Sequence, residues 1–257
     1  MVNIVLIGCG RIGERHLESL LTLGKNYKIQ VYDQIVNRNQ KGVEFVDNID
    51  QLDNVIDICI IATKADVRKS IVTTLLNKKI VNHLILEKVA FQSNNDFIDV
   101  ISLIKQKNIS CYVNCPMRVQ PIYKKVQELL TLQSPTKFIY EYSDAFKISS
   151  SFVHILDLFC YLCNDYNISI ENKFNNIIDS VKHKDCIDFN GTITVTNSNN
   201  HILVLKKGTN KFTEVLTVNN NEIDIYAREG GIESEEDTNR IGIVVFNKKQ
   251  SYDIPFL

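Results

Sequence analysis

The chain has 257 residues, 44% hydrophobic and 23% charged, with a formal net charge of −1 at pH 7. A chain of this length buries a sizeable core without staples, and its near-zero charge, free of like-charge blocks, excludes electrostatic capture by nucleic acid or an anionic membrane. Its longest apolar runs, such as VIDICIIAT at 55–63, are strand-length and far short of a membrane span.

The first stretch, MVNIVLIGCGRIG, carries no basic leader and enters a strand directly, which predicts a cytoplasmic protein. NIVLIG is a continuous apolar run of the kind that fits a strand buried on both faces. Residues 11–23 follow as a helix ended by Gly24. KIQVYD is a second strand and VEFVD a third, with a turn or short helix at 48–54; DICIIAT is a fourth, followed by a helix over 65–78. HLILEK is a fifth strand, residues 94–107 an amphipathic helix, and SCYVNC a sixth strand. Strands alternating with helices predict a parallel, doubly wound α/β sheet.

The pattern changes near residue 116. A helix over about 119–132 leads to the alternating strand TKFIYEYSD, then a helix at about 151–163. From 173 onward come six strands: FNNIIDSVKH, DFNGTITVTN, HILVLKK, TEVLTVN, EIDIYARE and IGIVVFN. Asn-rich turns separate several of them. The organisation expected is a dinucleotide-binding domain over 1–116 and an α+β domain over 117–257 with a mostly antiparallel open sheet. One face of that sheet is buried and the other is presented to a substrate or a partner.

Seven cysteines are scattered along the chain. Cys59 and Cys111 lie in apolar strand patterns, and the Cys160-x-x-Cys163 pair lies in an apolar helical run without a second pair of ligands. Reduced, buried thiols are expected, and no metal.

Gly8, Gly10 and Gly13 form GxGxxG at the junction of the first strand and first helix. The first glycine allows the tight turn, the second lets a pyrophosphate approach the backbone, and the third lets helix and strand pack closely. The helix start, with Arg11 and Ile12, supplies N–H groups and partial positive charge. Asp33 ends the second strand twenty residues after Gly13, where a carboxylate accepts hydrogen bonds from an adenosine ribose. Its charge would meet a 2′-phosphate, so NAD(H) is favoured; Arg38 nearby keeps NADP(H) open.

With EKV after the fifth strand, the chain resembles the glucose–fructose oxidoreductase / inositol dehydrogenase / MocA family of nicotinamide-dependent oxidoreductases. The resemblance implies a Rossmann domain followed by an α+β domain, and it covers nearly the whole chain. A family Glu-Lys-Pro motif, whose lysine stands near the nicotinamide, falls on Glu87-Lys88-Val89. A family Asp-x-x-x-His pattern falls on the helix of the second domain, with His154 matching the histidine and Ser150 in the aspartate's place. Thr63 matches a cofactor-contacting threonine; Asn114, Arg118 and Pro121 match the segment after the sixth strand. Val89 and Lys64 replace prolines, and Arg68 stands where a histidine is common. The link between Tyr142 and the His154 helix, about ten residues, is short for the family, which leaves the pocket more open or completed by another subunit.

Lys88 lies at the carboxyl end of a parallel strand, where open α/β sheets place their ligands. An ordinary lysine pKa of about 10.4 must be lowered by partial burial or a nearby cation before it serves as a base at neutral pH. Glu87 and Lys88 point to opposite faces of the strand, so Glu87 need not neutralise Lys88. His154 is expected in the first turn of a helix capped by one of Ser149, Ser150 or Ser151, where the helix dipole favours neutral imidazole. Asp157, three residues on, either orients that ring or faces outward. Lys88 is then the acid/base and His154 the partner of the substrate oxygen. Asn114, Arg118, Tyr123, Ser150 and Asp157 are further substrate-site candidates, and Lys147 on the link is a conceivable partner for an anionic substrate group. The resemblance implies a sugar or polyol substrate, nucleotide-linked and acidic sugars included, and a homodimer or larger assembly built through the second sheet. An imine or double-bond reductase and a non-catalytic dinucleotide-binding protein stand as alternatives.

Overall fold

The computed structural model describes residues 1–24, 26–34, 40–130, 132, 134–144, 146–179, 187–209, 214–219, 224–229, 241–246 and 250–255. Two compact units divide the chain, Met1–Asn114 and Cys115–Leu257.

In the first unit, β1 (Val2–Ile7), α1 (Arg11–Leu21), β2 (Tyr27–Tyr32), β3 (Val43–Val46), β4 (Val55–Ile61), α2 (Ala65–Lys78), β5 (Ile80–Glu87), α3 (Asn94–Gln106) and β6 (Ser110–Asn114) follow in chain order. The strands pair in the order β3-β2-β1-β4-β5-β6, and every pairing is parallel. The continuous apolar run of β1 splits between two cores, because successive side chains point to opposite faces. Val5 and Ile7 join Ile61, Leu84 and Leu86 beneath Val72, Leu75 and Leu76 of α2 and Val100 of α3. Ile4 and Leu6 join Val31 and Ile60 beneath Leu17 and Leu20 of α1. Each fully buried Leu or Ile contributes about 1.5–3 kcal/mol, so helices on both faces follow from the unbroken apolar run Ile4, Val5, Leu6 and Ile7. Strand order reverses beside β1, whose neighbours are β2 and β4. Ligands of open α/β sheets bind outside the carboxyl ends of the strands at such a switch point.

The second unit holds α4 (Pro121–Leu129), β7 (Lys137–Tyr142), α5 (Ile148–Cys163), β8 (Ile168–Asp179), β9 (Ile187–Asn197), β10 (Ile202–Lys207), β11 (Glu214–Asn219), β12 (Asp224–Glu229), β13 (Ile241–Phe246) and β14 (Gln250–Pro255). Its sheet runs β14-β13-β12-β11-β7-β10-β9-β8. Only β7 and β10 pair in parallel; the other pairings are antiparallel. Phe138, Tyr140, Ile193, Val195, Leu203 and Leu205 bury one face of the sheet with residues of α4 and α5.

Four local expectations are corrected. The helix expected over 119–132 is a 3-10 turn at Pro116–Val119 and then α4 from Pro121, since a proline holds Gln120 before it in extended backbone. The α5 helix begins at 148 rather than 151, which cuts the link from β7 to five residues, 143–147. Strand β8 starts at Ile168, six residues before the FNNIIDSVKH run, the last residues of which lie outside the described ones. Strand β14 was not expected from sequence at all. Among the described residues, no helix is long and apolar enough to cross a membrane.

Candidate active site

The GxGxxG turn joins β1 to α1. Gly8 sits at φ +91, in the left-handed region, and a Cβ there would stand 2.9 Å from the backbone of Ala62 and Thr63. At Gly13 a Cβ would lie 2.0 Å from the Gly8 carbonyl oxygen, so glycine is what lets α1 close onto the turn. Gly10 differs: its backbone is ordinary, φ −74 and ψ −169, and a Cβ would meet nothing within 4 Å. It is the N-cap of α1 and no side chain caps that end. The first-turn N–H groups, with exposed Arg11 and Ile12 beside them, therefore border open space.

Asp33 follows β2, and its Oδ2 accepts a hydrogen bond from the Cys9 N–H at 2.6 Å, so the carboxylate also braces the turn. Arg38, on which the NADP alternative turned, lies outside the described residues. Thr63 follows β4, and its hydroxyl oxygen is buried without a hydrogen-bond partner among the described residues. An uncapped helix start, an open Gly10 and a buried hydroxyl aimed at no protein group fit a dinucleotide: the N–H groups and Gly10 would hold its pyrophosphate, Asp33 its ribose, and Thr63 a polar atom further along.

Glu87 ends β5 opposite Asn114 of β6. The residue is 7% exposed, and its carboxylate draws three donors: His16 Nε2 of α1 at 2.8 Å, Asn114 Nδ2 of β6 at 2.6 Å, and the Lys88 N–H. Burial pushes its pKa up, but the donors from His16, Asn114 and Lys88 outweigh burial and leave it below the ordinary carboxylate value. Asn114 thus supports Glu87. Lys88 is half-buried, and the peptide bond from Lys88 to Val89 is cis. Beneath this turn lies Arg68 of α2, 2% exposed, donating to the carbonyls of Thr63, Glu87, Val89 and Ala90.

Sequence reasoning assigned no role to His16 or, beyond its standing where a histidine is common, to Arg68. Arg68 had a legible signal, since it precedes Val72, Leu75 and Leu76 at helical spacing on the buried stripe of α2. A charged residue on such a stripe asks for a partner. His16 had none, because Glu87 lies 71 residues away in sequence.

In the second unit, His154 is half-buried on α5, and its environment differs from expectation. The N-cap is Lys147, so Ser149, Ser150 and Ser151 lie inside the first turn and His154 falls in the second. The helix start is satisfied by Asp188 of β9, a buried carboxylate accepting from the Ser149 N–H at 2.9 Å. Lys147 lies 4.0 Å from the same carboxylate. His154 thus lies beyond the first turn, where the helix dipole field fades. Asp157 takes the Arg118 guanidinium on two oxygens, which accept from Nε at 2.8 Å and from Nη2. Arg118 also stacks 5.2 Å over the Tyr161 ring, and Asp157 holds its pKa above the ordinary value. Two substrate candidates thus engage each other. Tyr123, 1% exposed, packs in the core of this unit instead of lining a surface.

Burial pushes the Cys111 thiol up to about 11 and the Cys163 thiol up to about 12. Among the described residues no three His, Cys, Asp or Glu side chains gather as a metal site.

Residues 2–115 match the oxidoreductase family with the NAD-binding Rossmann fold, GFO_IDH_MocA. No curated protein sequence matches the chain. Among solved structures, the chain is similar to a dehydrogenase, MviM, from Clostridium difficile, with 13% identity, TM-score 0.68, and coverage of 99% of this chain and 82% of that one. It is also similar to UDP-N-acetylglucosamine 3-dehydrogenase from Acidithiobacillus ferrooxidans, at 14% identity and TM-score 0.70 over 99% and 83%. A super-repressor mutant of Gal80p from Saccharomyces cerevisiae is similar at 13% identity and TM-score 0.73 over 99% and 81%. At such identities these three speak to fold alone. Residues 2–115 belong to the Gfo/Idh/MocA oxidoreductase family and carry its NAD-binding Rossmann fold.

Proposed function

We propose that the protein is an NAD(H)-dependent oxidoreductase that moves a hydride between nicotinamide and a sugar or polyol carbon, with Lys88 as acid/base. The observation carrying this is that one parallel sheet bears, at the carboxyl ends of its strands, both the dinucleotide cradle after β1 and Lys88 after β5. When bound, the nicotinamide accepts or donates the hydride. The chain's own residues do the rest. Gly10 and the first turn of α1 hold phosphate, Asp33 holds ribose and disfavours a 2′-phosphate, and Thr63 supplies a buried hydroxyl. The charge of Glu87 is held by His16, Asn114 and the Lys88 N–H, and the Lys88 Nζ is the group we assign to exchange a proton with the substrate oxygen.

Within the second unit, His154 on α5 is the residue we assign to contact with a substrate oxygen. The sugar class rests on the family resemblance, supported by the UDP-N-acetylglucosamine dehydrogenase of similar fold. Exposed Ile170, Phe174 and Ile177 on β8 support a homodimer formed through the second sheet. A second function, dinucleotide binding without turnover, is favoured by Ser150 in the aspartate's place and by the five-residue link 143–147.

The test is a screen of the purified protein with NADH and NADPH against ketosugars and cyclic imines, following loss of nicotinamide absorbance. Turnover of a ketosugar that Lys88→Ala abolishes is the expected result. Tight cofactor binding with no turnover of any acceptor favours the binder, and full turnover by Lys88→Ala removes the acid/base assignment.

A further inference from the structure

Arg68 occupies the fourth position of α2 and is 2% exposed. A cation there is doubly disfavoured: burial strips its hydration, and the start of a helix carries partial positive charge. Burial is the main cause of its lowered pKa, opposed by the charges of Glu87 and Asp66. Core packing does not ask for a guanidinium, since the residues that follow on the same stripe, Val72, Leu75 and Leu76, fill it with hydrocarbon.

Its contacts are all backbone carbonyls. Nη2 donates to Thr63, the residue with the buried hydroxyl, and Nη1 is shared among Glu87, Val89 and Ala90, the last at 3.1 Å. Two of these acceptors flank Lys88 directly. One planar group therefore ties the end of β4 to the turn after β5 and fixes the backbone on both sides of the lysine.

We infer that Arg68 is a positioning residue that sets where Lys88 stands relative to Thr63. The inference rests on Lys88 being the acid/base. A guanidinium presents donors in a rigid fork, whereas a lysine ammonium is a compact point charge on a flexible stem, so lysine cannot span the same four carbonyls. A displacement of about 1 Å in a reacting group costs on the order of 100-fold in rate.

The experiment compares Arg68→Lys and Arg68→Ala with the wild-type full chain. Hydrogen–deuterium exchange is read by mass spectrometry over 86–92 and over the control strand 27–32, and Lys88 acetylation by acetic anhydride is timed against the other lysines. Both variants are expected to exchange at least about tenfold faster over 86–92 with the control strand unchanged, and to shift Lys88 acetylation by a similar factor. Millimolar guanidinium is expected to restore Arg68→Ala toward wild type. With a turned-over acceptor in hand, Arg68→Lys loses about 100-fold in kcat while KM for NADH stays within about threefold. Unchanged exchange and acetylation overturn the inference, and so does protection lost equally over 27–32, which marks a general packing role. If Lys88→Ala keeps turnover while the Arg68 variants loosen the turn, the acid/base assignment falls and the backbone role stands; the reverse pattern removes only the role of Arg68.

Discussion

Alanine at Gly10 and alanine at Gly13 add the same methyl group three residues apart and are expected to fail in opposite ways. At Gly13 the new Cβ would lie 2.0 Å from the Gly8 carbonyl oxygen, against the 3.0 Å below which such contacts are essentially never seen. The neighbour is backbone, so α1 must lift by about 1 Å, and overpacking of this kind costs roughly 1–3 kcal/mol. With no flexible atom to yield, the upper figure applies, and at this chain length it lowers Tm by about 6–12 °C. At Gly10 the backbone suits alanine and the space is open. A gain of about 0.4–1 kcal/mol from the stiffer unfolded chain is offset by the poorer N-cap that alanine makes. Stability therefore stays within about 1 kcal/mol, while the methyl stands where a pyrophosphate would meet the first-turn N–H groups. Losing even one charge-assisted hydrogen bond, at about 1.5–3 kcal/mol, weakens NADH binding at least about tenfold. Circular dichroism melts and NADH fluorescence titrations read the two effects separately. A Gly10→Ala protein with wild-type Kd would place the dinucleotide elsewhere, and a Gly13→Ala protein with wild-type Tm would refute the packing role.

Three more expectations concern charge and exposure. Because the Glu87 carboxyl titrates lower in the folded chain than in the unfolded one, its contribution is present above the ordinary carboxyl pKa of about 4.3 and is lost as pH falls below that value through the folded pKa. Glu87→Gln should cost about 2 kcal/mol near pH 7 and flatten the acid side of the stability curve. Urea midpoints from pH 6 to 3.5 that keep the wild-type slope in Glu87→Gln would contradict this. The Arg118–Asp157 pair, with side chains 33% and 17% exposed, is expected to couple by about 1–2 kcal/mol, below the range of a fully buried charged bond because of solvent screening; a double-mutant cycle giving under about 0.3 kcal/mol would count against it. Cys111 and Cys163, with thiols pushed up to about 11 and about 12, should resist iodoacetamide in the native protein at pH 8, and alkylation at either site within minutes, seen by peptide mass mapping, would sink that claim.

What the sequence made legible follows the range of each interaction. The strands, the parallel sheet and the helices of the first unit were readable because period and glycine spacing are local, and α2 was placed at its observed bounds, 65–78. The glycine turn was readable because Gly8 and Gly13 sit where only glycine fits, one by its positive φ and both by close approach of backbone. The second unit was less legible where distant residues intervene. Ser149, Ser150 and Ser151 have the chemistry of an N-cap, but Asp188 arrives from β9 to do that work, so the helix starts earlier and His154 moves a turn inward. For Asp157 the sequence left two roles open, orienting His154 at i+3 or facing outward, and Arg118, 39 residues away in sequence, supplies a third.

The same distinction explains where the lysine turn departs from its family pattern. On the resemblance drawn from the sequence, Lys64 and Val89 stand where prolines are expected and Arg68 where a histidine is common. Against that expectation two rigid rings are absent near the ends of β4 and β5, and one rigid fork lies beneath them, bonded to carbonyls of residues 63, 87, 89 and 90. A proline fixes backbone through its own covalent ring; a buried guanidinium fixes it from outside through hydrogen bonds. Substituting one constraint for the other keeps a defined lysine position while leaving each local motif looking degraded. Restoring proline at 89 alone, in a chain that keeps Arg68, should therefore add little order to the turn, whereas the same substitution in Arg68→Ala should recover part of the lost exchange protection over 86–92. Equal gains in both backgrounds would show that the two constraints act independently.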